Sequence, residues 1–250
     1  MDLIFPDWAN APDNVGAFST TRKNGNSLAP YDDGVGGGGL NLGLHVGDDP
    51  ARVLTNRALV RALVPSEPAW LSQVHGARVM DASTVHDAPE ADASIAFRAG
   101  TVCVIQTADC LPVLFCDVEG KTVGAAHAGW RGLASGVLAN TLAAMRSAGA
   151  GEIIAWLGPA IGPQRFEVGQ DVFSAFVGRD AEMATAFAPV ATQPGKYMAD
   201  IYALAKGVLR AAGVERVSGG GYCTVSQSDS FYSYRRDRVT GRMASLIWLK

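Results

Sequence analysis

The chain has 250 residues, 48% hydrophobic and 18% charged, with a formal net charge of -3. That composition is one of a globular protein with a sizeable core, not of a disordered or fibrous chain. With an acidic balance and no basic block, neither nucleic acid nor an anionic membrane is expected as a partner.

In chain order, the stretch "VGAFSTTR" (15–22) reads as a strand with Val15, Ala17 and Ser19 on one face. The polar, glycine-rich stretch after it, "KNGNSLAPYDDGVGGGG", reads as an expanded loop over 23–39. No G-K-[ST] follows it, which argues against a phosphate-cradling P-loop. Asp49 and Pro50 form an N-cap and first helical position, and Ala51, Leu54, Ala58 and Leu59 recur at helical spacing. A short strand pair is predicted around His75-Gly76. "TVCVIQT", "LPVLFCDV" and "KTVGAAH" read as three strands, the last two joined as a hairpin at Glu119-Gly120.

A helix is predicted over 132–148, with Leu133, Val137, Leu138, Thr141, Leu142 and Met145 on one face and Gly149 at its end. "EIIAWLG" reads as a buried strand, and the stretch 168–189 as one helix or two. Asp200 caps a helix striped by Ile201, Leu204, Ala205, Val208, Leu209 and Ala212 and stopped by Gly213. "RMASLIWL" closes the sequence as a strand. Helices and strands mix without strict βαβ alternation, which predicts an α+β (α/β) fold: one domain over 1–250, with mixed β-sheets sandwiched between α-helices.

No apolar run approaches the roughly 18 residues of a membrane helix. The stretch "MDLIFPDWANAPDN" has neither a basic n-region nor an h-region, so no signal peptide is expected. Cys103, Cys110, Cys116 and Cys223 form no C-x-x-C pair. Three of them lie in or beside valine- and leucine-rich strands, as free thiols of a reducing cytoplasm would. Nothing in the sequence specifies an oligomer.

Four histidines are present, His45, His75, His86 and His127. His86 falls in an acidic loop and is assigned no role. His75 and His127 each sit at a predicted strand edge just before a Gly or Ala-Gly step, where the backbone turns away and leaves the side chain facing a cleft. Singly, such a histidine reads as a hydrogen-bonded structural residue, and Cys110 as a small core hydrophobe. Together they form a three-donor set of the kind catalytic zinc uses, with the fourth place left for water. They also form a nucleophile and base, Cys110 with His127.

The segments "SQVHGARV", "TADCLPVLF", "AAHAGWRGL", "LNLGLHVGDD", "GPAIGPQRFEVG" and "CTVSQSDSFYSYRRDRVTGRMASLIWL" resemble the signature blocks of one family. It is the multicopper polyphenol oxidase or laccase-domain family, later described as purine nucleoside phosphorylases with adenosine deaminase activity. The resemblance runs from about residue 15 to the C-terminus. It implies a zinc site of His75, Cys110 and His127, and it brings in Asn41, Gln73, Asp109, Arg131 and Arg235 as motif positions around the cleft. The family's Thr-Arg-x-Gly-Gly-Val-Ser pattern is kept here only as far as Thr21-Arg22.

The implied reaction is phosphate attack on C1′ of adenosine, inosine, guanosine or methylthioadenosine, with adenosine deamination as an accompanying activity. Arg22, Arg131 and Arg235 are the candidate phosphate and substrate ligands, because a guanidinium pairs two oxygens at once. Arg236 and Arg238 read as solvated. Cys110 and Asp109 are the candidate catalytic residues. On a regular strand Asp109 would face away from Cys110, so its participation requires an irregular strand end. One alternative is an amide hydrolase, using cysteine or metal, that edits peptidoglycan precursors. Another is a mononuclear copper polyphenol oxidase, since His₂Cys also suits copper; four histidines are too few for a trinuclear copper cluster.

Overall fold

A computed structural model describes residues 2–8 and 10–250. Three sheets organise the chain. The largest has six strands, in spatial order Val217–Gly219, Ile153–Leu157, Leu111–Asp117, Val123–Ala128, Ala93–Ala96 and Val79–Asp81. A four-stranded sheet runs Leu3–Ile4, Val15–Thr20, Met243–Leu249 and Val102–Thr107. A small antiparallel sheet joins Phe187–Pro189, Lys196–Ala199 and Glu167–Gly169. In the large sheet two pairings are parallel and the other three antiparallel. This is the mixed α+β architecture expected from the sequence.

The two larger sheets stack face to face. Cys103 and Ile105 of one meet Leu114, Cys116, Val123, Ala125 and Trp156 of the other in a buried middle layer. Side chains alternate along a strand. Val113 and Phe115 therefore face the opposite way, against the helices Val137–Ser147 and Ile201–Ala211. On the outer face of the four-stranded sheet, Phe18, Val104 and Leu246 pack with Leu40, Leu42 and Val60. The order is thus helix, sheet, sheet, helices. Strand Leu111–Asp117 is buried along its whole length, which is why its sequence shows no polar alternation. Among the described residues, no helix is long and apolar enough to cross a membrane.

Several local expectations hold. Asp49 accepts from Ala51 N at 2.9 Å, and Asp200 from Tyr202 N and Ala203 N at 2.9 and 3.0 Å. The Glu119-Gly120 hairpin joins Leu111–Asp117 to Val123–Ala128 in antiparallel register. Three expectations need correction. The predicted helix over 132–148 is two, Trp130–Ala134 and Val137–Ser147, because Gly136 takes a left-handed φ of 92°. No hairpin forms at His75-Gly76. That segment carries isolated bridges, Ala69 to Cys103 and Ser72 to Glu90, and only Val79–Asp81 becomes a strand.

Helix Pro50–Arg61 buries a different face from the one its apolar spacing predicts. Its buried face is Val53, Asn56 and Val60, while Leu54 and Leu59 are exposed. Asn56 is fully buried because it serves as a hub for the glycine-rich loop. Its Nδ2 donates to Ser27 Oγ, Gly39 O and Asn41 O at 3.0, 3.1 and 2.9 Å, and its Oδ1 accepts from Asn26 N at 2.8 Å. Asn56→Ala strands these groups and should cost at least about 2 kcal/mol. In a chain of this size that lowers Tm by roughly 4–8 °C in a calorimetric scan.

Candidate active site

Strand register brings the chemistry to one edge of the six-stranded sheet. Pro112 pairs with His127, so Cys110, just before the strand, lies beside the end of the neighbouring strand. Ala93 pairs with Ala126, which sets Asp92 beside His127; the His127 amide donates to Asp92 O at 2.7 Å. His75 arrives on the turn after Gln73, with a left-handed φ of 60°. The donor atoms of His75, Cys110 and His127 all lie within 4.8 Å of one another. The two imidazoles meet edge to face, centroids 4.7 Å apart. Gly129 permits this approach: a Cβ there would stand 2.8 Å from His75 Nδ1 and 2.9 Å from Cys110 Sγ.

Asp92 holds the cluster together. It has no solvent exposure. Its carboxylate accepts from Val74 N, His75 N and Gly76 N at 3.2, 2.9 and 2.7 Å, and bonds His127 Nδ1 at 2.8 Å. One carboxylate thus fixes both the turn that carries His75 and the ring of His127. With Nδ1 engaged, His127 is left to offer Nε2. A ligand histidine backed by a carboxylate is the usual support of a protein metal site. In the sequence this residue is marked only weakly, as an acid directly before the short run Ala-Ser-Ile-Ala, within a stretch that otherwise reads as an exposed loop.

The charges are mutually reinforcing. Burial opposes ionisation of the Cys110 thiol, but the His127 cation and hydrogen bonds from His127 and His75 outweigh it and bring the thiol down to about 6. Burial likewise opposes the His127 imidazolium, yet the Cys110 thiolate and Asp92 push it up to about 9. By contrast, burial drives Cys103 and Cys116 up to about 12. Those two thiols are core packing groups.

Two cavities share the cluster. His75, Ala108, Cys110 and Tyr234 line both. The larger, about 430 Å³, is completed by His45, Leu71, Gln73, Gln106, Thr107, His127 and Arg242. The smaller, about 180 Å³, is completed by Asp109, Trp130, Arg131, Ile161, Phe166, Ile201 and Arg235. Burial, and the positive field of Arg242 and Arg57, lower the pKa of His45 and favour its neutral form.

Of the candidate substrate residues, Arg131 and Arg235 stand together in the smaller cavity. The Arg131 guanidinium lies over Trp130 at 4.4 Å, and Arg235 Nη1 donates to Glu167 O at 3.1 Å. Gln73 reaches the larger cavity. Arg22 and Asn41 line neither. Arg22 is buried, donates to Asp32 O and Ser228 O, and lies over the Tyr232 ring at 4.8 Å. Asn41 is fully buried and bonds Gly43, Asp48 and the Arg242 amide. Both fasten loops. Arg236 is not simply solvated either, since its guanidinium donates to Thr224 O and Phe231 O.

Asp109 does occupy an irregular strand end, with φ 97°. Its oxygens are engaged, accepting from Thr224 Oγ1 and from Arg235 N, both at 2.6 Å. The carboxylate thereby fixes the segment that carries Tyr234 and Arg235. Of the other lining residues, His45, Tyr234 and Arg242 lie within the resembling segments without an assigned role and Gln106 lies outside them; the fold brings the four together.

The donor set fits a metal. Two imidazoles and a thiolate suit zinc or copper, one ring nitrogen is backed by a carboxylate, and the cluster opens to cavities on two sides. Among the described residues it is the one group of three or more potential ligands close enough to share an ion.

A purine nucleoside phosphorylase of Pseudomonas aeruginosa is 52% identical over 247 residues, covering 99% of this chain and 98% of that protein. Its counterpart from Escherichia coli is 50% identical over 251 residues, with the same coverage. A crystal structure of a Neisseria meningitidis protein superposes with a TM-score of 0.92 at 48% identity, covering all of both chains. A hypothetical protein of Bacillus licheniformis gives 0.86 at 30% identity, covering 94% of this chain and 93% of that one. The family model described as multi-copper polyphenol oxidoreductase laccase matches residues 16–250, a span that contains the cluster, its carboxylate support and both cavities, and the chain belongs to that family.

Proposed function

We propose that the chain is a metal-dependent purine nucleoside phosphorylase that converts adenosine and phosphate to adenine and ribose 1-phosphate. The observation that carries the proposal is the His75–Cys110–His127 cluster set between one cavity of nucleoside size and one of phosphate size. The larger cavity falls within the range of small-molecule sites, and the smaller falls below it. Relatives about half identical over nearly their whole length bear the name of this activity.

His75, Cys110 and His127 would hold the ion, and zinc is the one their donor set and open side suit best. When bound, it supplies Lewis acidity beside the reacting atoms. The rest of the work falls to the protein. Arg131 and Arg235 hold hydrogen phosphate through forked donors. Asp109, through its bond to the Arg235 amide, keeps that segment in place. A phosphate oxygen bonds to C1′ as the C1′–N9 bond breaks, and the bonding pair leaves with the purine. The phosphate proton ends on the purine nitrogen, so the step balances. Apolar Leu71, Ile161 and Phe166 keep water from competing for C1′.

The same geometry favours a second reading. Cys110, His127 and Asp92 stand as nucleophile, base and orienting acid, with the thiol already poised for ionisation. That arrangement would serve an amide hydrolase, and metal removal separates the two readings. A copper-loaded site oxidising phenols is a third outcome, visible as a thiolate-to-copper absorption band. The deciding experiment incubates zinc-loaded protein with adenosine, with and without phosphate, and separates the products. Adenine and ribose 1-phosphate that appear only with phosphate support the phosphorylase, and inosine without phosphate supports accompanying deamination. No adenine from folded, zinc-loaded protein would refute it. Activity on an amide that survives chelation would establish the hydrolase instead.

A further inference from the structure

Two glutamines meet at the larger cavity, and only one is engaged. Gln73 Nε2 donates to Gln106 O at 2.8 Å, and Gln73 Oε1 accepts from Gln106 N at 2.7 Å. Both ends of the Gln73 amide are therefore committed to the main chain of Gln106, at the end of strand Val102–Thr107. Gln73 acts as a clamp that positions its neighbour.

The side chain of Gln106 is different. It is only 6% exposed, and its Oε1 is buried with no hydrogen-bond partner in the protein. Strand alternation places it on the face of Val102 and Val104, which pack into an apolar cluster with Leu40, Leu42 and Trp70. An amide in such a place is costly, and buried polar groups in native proteins are nearly always paired. Gln106 is also one of the residues that line the larger cavity. A rigidly clamped strand thus carries, in a residue that lines a nucleoside-sized space, a carboxamide whose oxygen is buried and unpaired.

We propose that Gln106 is the base-reading residue of this site: its carboxamide pairs with the edge of the purine and sets the preference among purines. The inference rests on the phosphorylase reading for its substrate class. A carboxamide carries one acceptor and one donor side by side, the pairing that glutamine makes with adenine N6 and N7. A half-turn of the amide exchanges the two. Gln106 can then accept from an amino group and donate to a ring nitrogen, or donate to the carbonyl of a 6-oxo purine. One residue therefore admits both 6-amino and 6-oxo purines, while a ligand lacking a matching edge leaves the buried amide unpaired. Gln73 is a positioning residue in this scheme, because it acts only through Gln106.

The test uses the zinc-loaded full chain with Gln106→Leu, which keeps the side chain's bulk, and Gln106→Glu, which keeps the acceptor and removes the donor. Thermal melts establish that each is folded. The readouts are kcat/KM for adenosine and inosine, and calorimetric binding of free adenine and hypoxanthine. Leucine should lower kcat/KM for both nucleosides and weaken binding of both bases by about tenfold or more. Glutamate should raise the adenosine-to-inosine ratio by about tenfold, since an acceptor suits the amino group and repels the carbonyl. An unchanged ratio in folded Gln106→Glu, or unchanged base binding in folded Gln106→Leu, would overturn the inference while leaving an active wild type as evidence for the phosphorylase. A wild type that binds adenine through Gln106 but releases none from adenosine would sink the phosphorylase reading alone. A wild type that binds no purine would sink both.

Discussion

Cys110→Ala is expected to strip the protein of stoichiometric zinc and to lower phosphorolysis by about a thousandfold or more. Thiolate is one of only three protein donors in the cluster, and a Lewis acid at a reacting centre is worth several kcal/mol, each 1.4 of which is about tenfold in rate. Elemental analysis and the adenosine assay read the two effects independently. The same thiol offers a direct check in metal-free protein. A thiol titrating near its ordinary value is almost wholly protonated at pH 7, whereas Cys110, brought down to about 6, is mostly thiolate there. Alkylation by iodoacetamide should therefore be near its plateau at pH 7, fall as pH drops through 6, and be blocked by added zinc. A mutant without Cys110 that phosphorolyses adenosine at the wild-type rate would refute the metal-dependent mechanism.

Asp92→Asn should weaken zinc binding by roughly 10- to 100-fold and destabilise the fold at the same time. The native carboxylate only accepts, and it accepts from three consecutive loop amides and from the His127 ring. An asparagine of the same shape turns one oxygen into a donor, which then faces N–H groups. At least one buried partner is left unpaired, at about 1–3 kcal/mol, and Tm falls by several degrees. Burial opposes charge on Asp92, but the bonds from His127 and the loop amides keep its carboxyl below the ordinary range. A depressed carboxylate stabilises the fold above its unfolded pKa and loses that contribution as pH falls through the folded value. Wild type should thus lose stability on acidification below the ordinary carboxylate range, and the Asn variant should lose less of it. Equal pH dependence in the two would show that Asp92 is not the group responsible.

Reading these sites from sequence succeeds where the information is local. The caps at Asp49 and Asp200, the hairpin at Glu119-Gly120 and the buried stripe of Val137–Ser147 follow from neighbours a few residues apart. Helix Pro50–Arg61 shows where that logic stops. Leu54 and Leu59 follow the apolar period yet lie outside, while Asn56 lies inside because loop groups 15 to 30 residues earlier need its amide. No helical periodicity contains those partners. The single helix predicted over 132–148 breaks for a related reason: Gly136 adopts a left-handed turn that its apolar neighbours do not announce.

The site divides in the same way. His75, Cys110 and His127 stood out in the sequence because their donor chemistry is rare in a chain with four histidines and four cysteines, and because glycine-bearing turns follow both histidines. Arg22 and Asn41 looked equally plausible, but donor groups do not reveal whether they face a ligand or a carbonyl of their own chain, and both face their own chain. Asp92 and Gln106 are ordinary residue types at unremarkable positions. The sequence by itself determined the helix caps, the hairpin and which side chains can bind a metal, because propensity and donor chemistry belong to the residues. Only the tertiary structure decided that Asp92 backs His127, that Gln73 is occupied while Gln106 is free, and that two cavities meet at the cluster. Each of these is set by strand register and by hydrogen bonds between residues far apart in the chain.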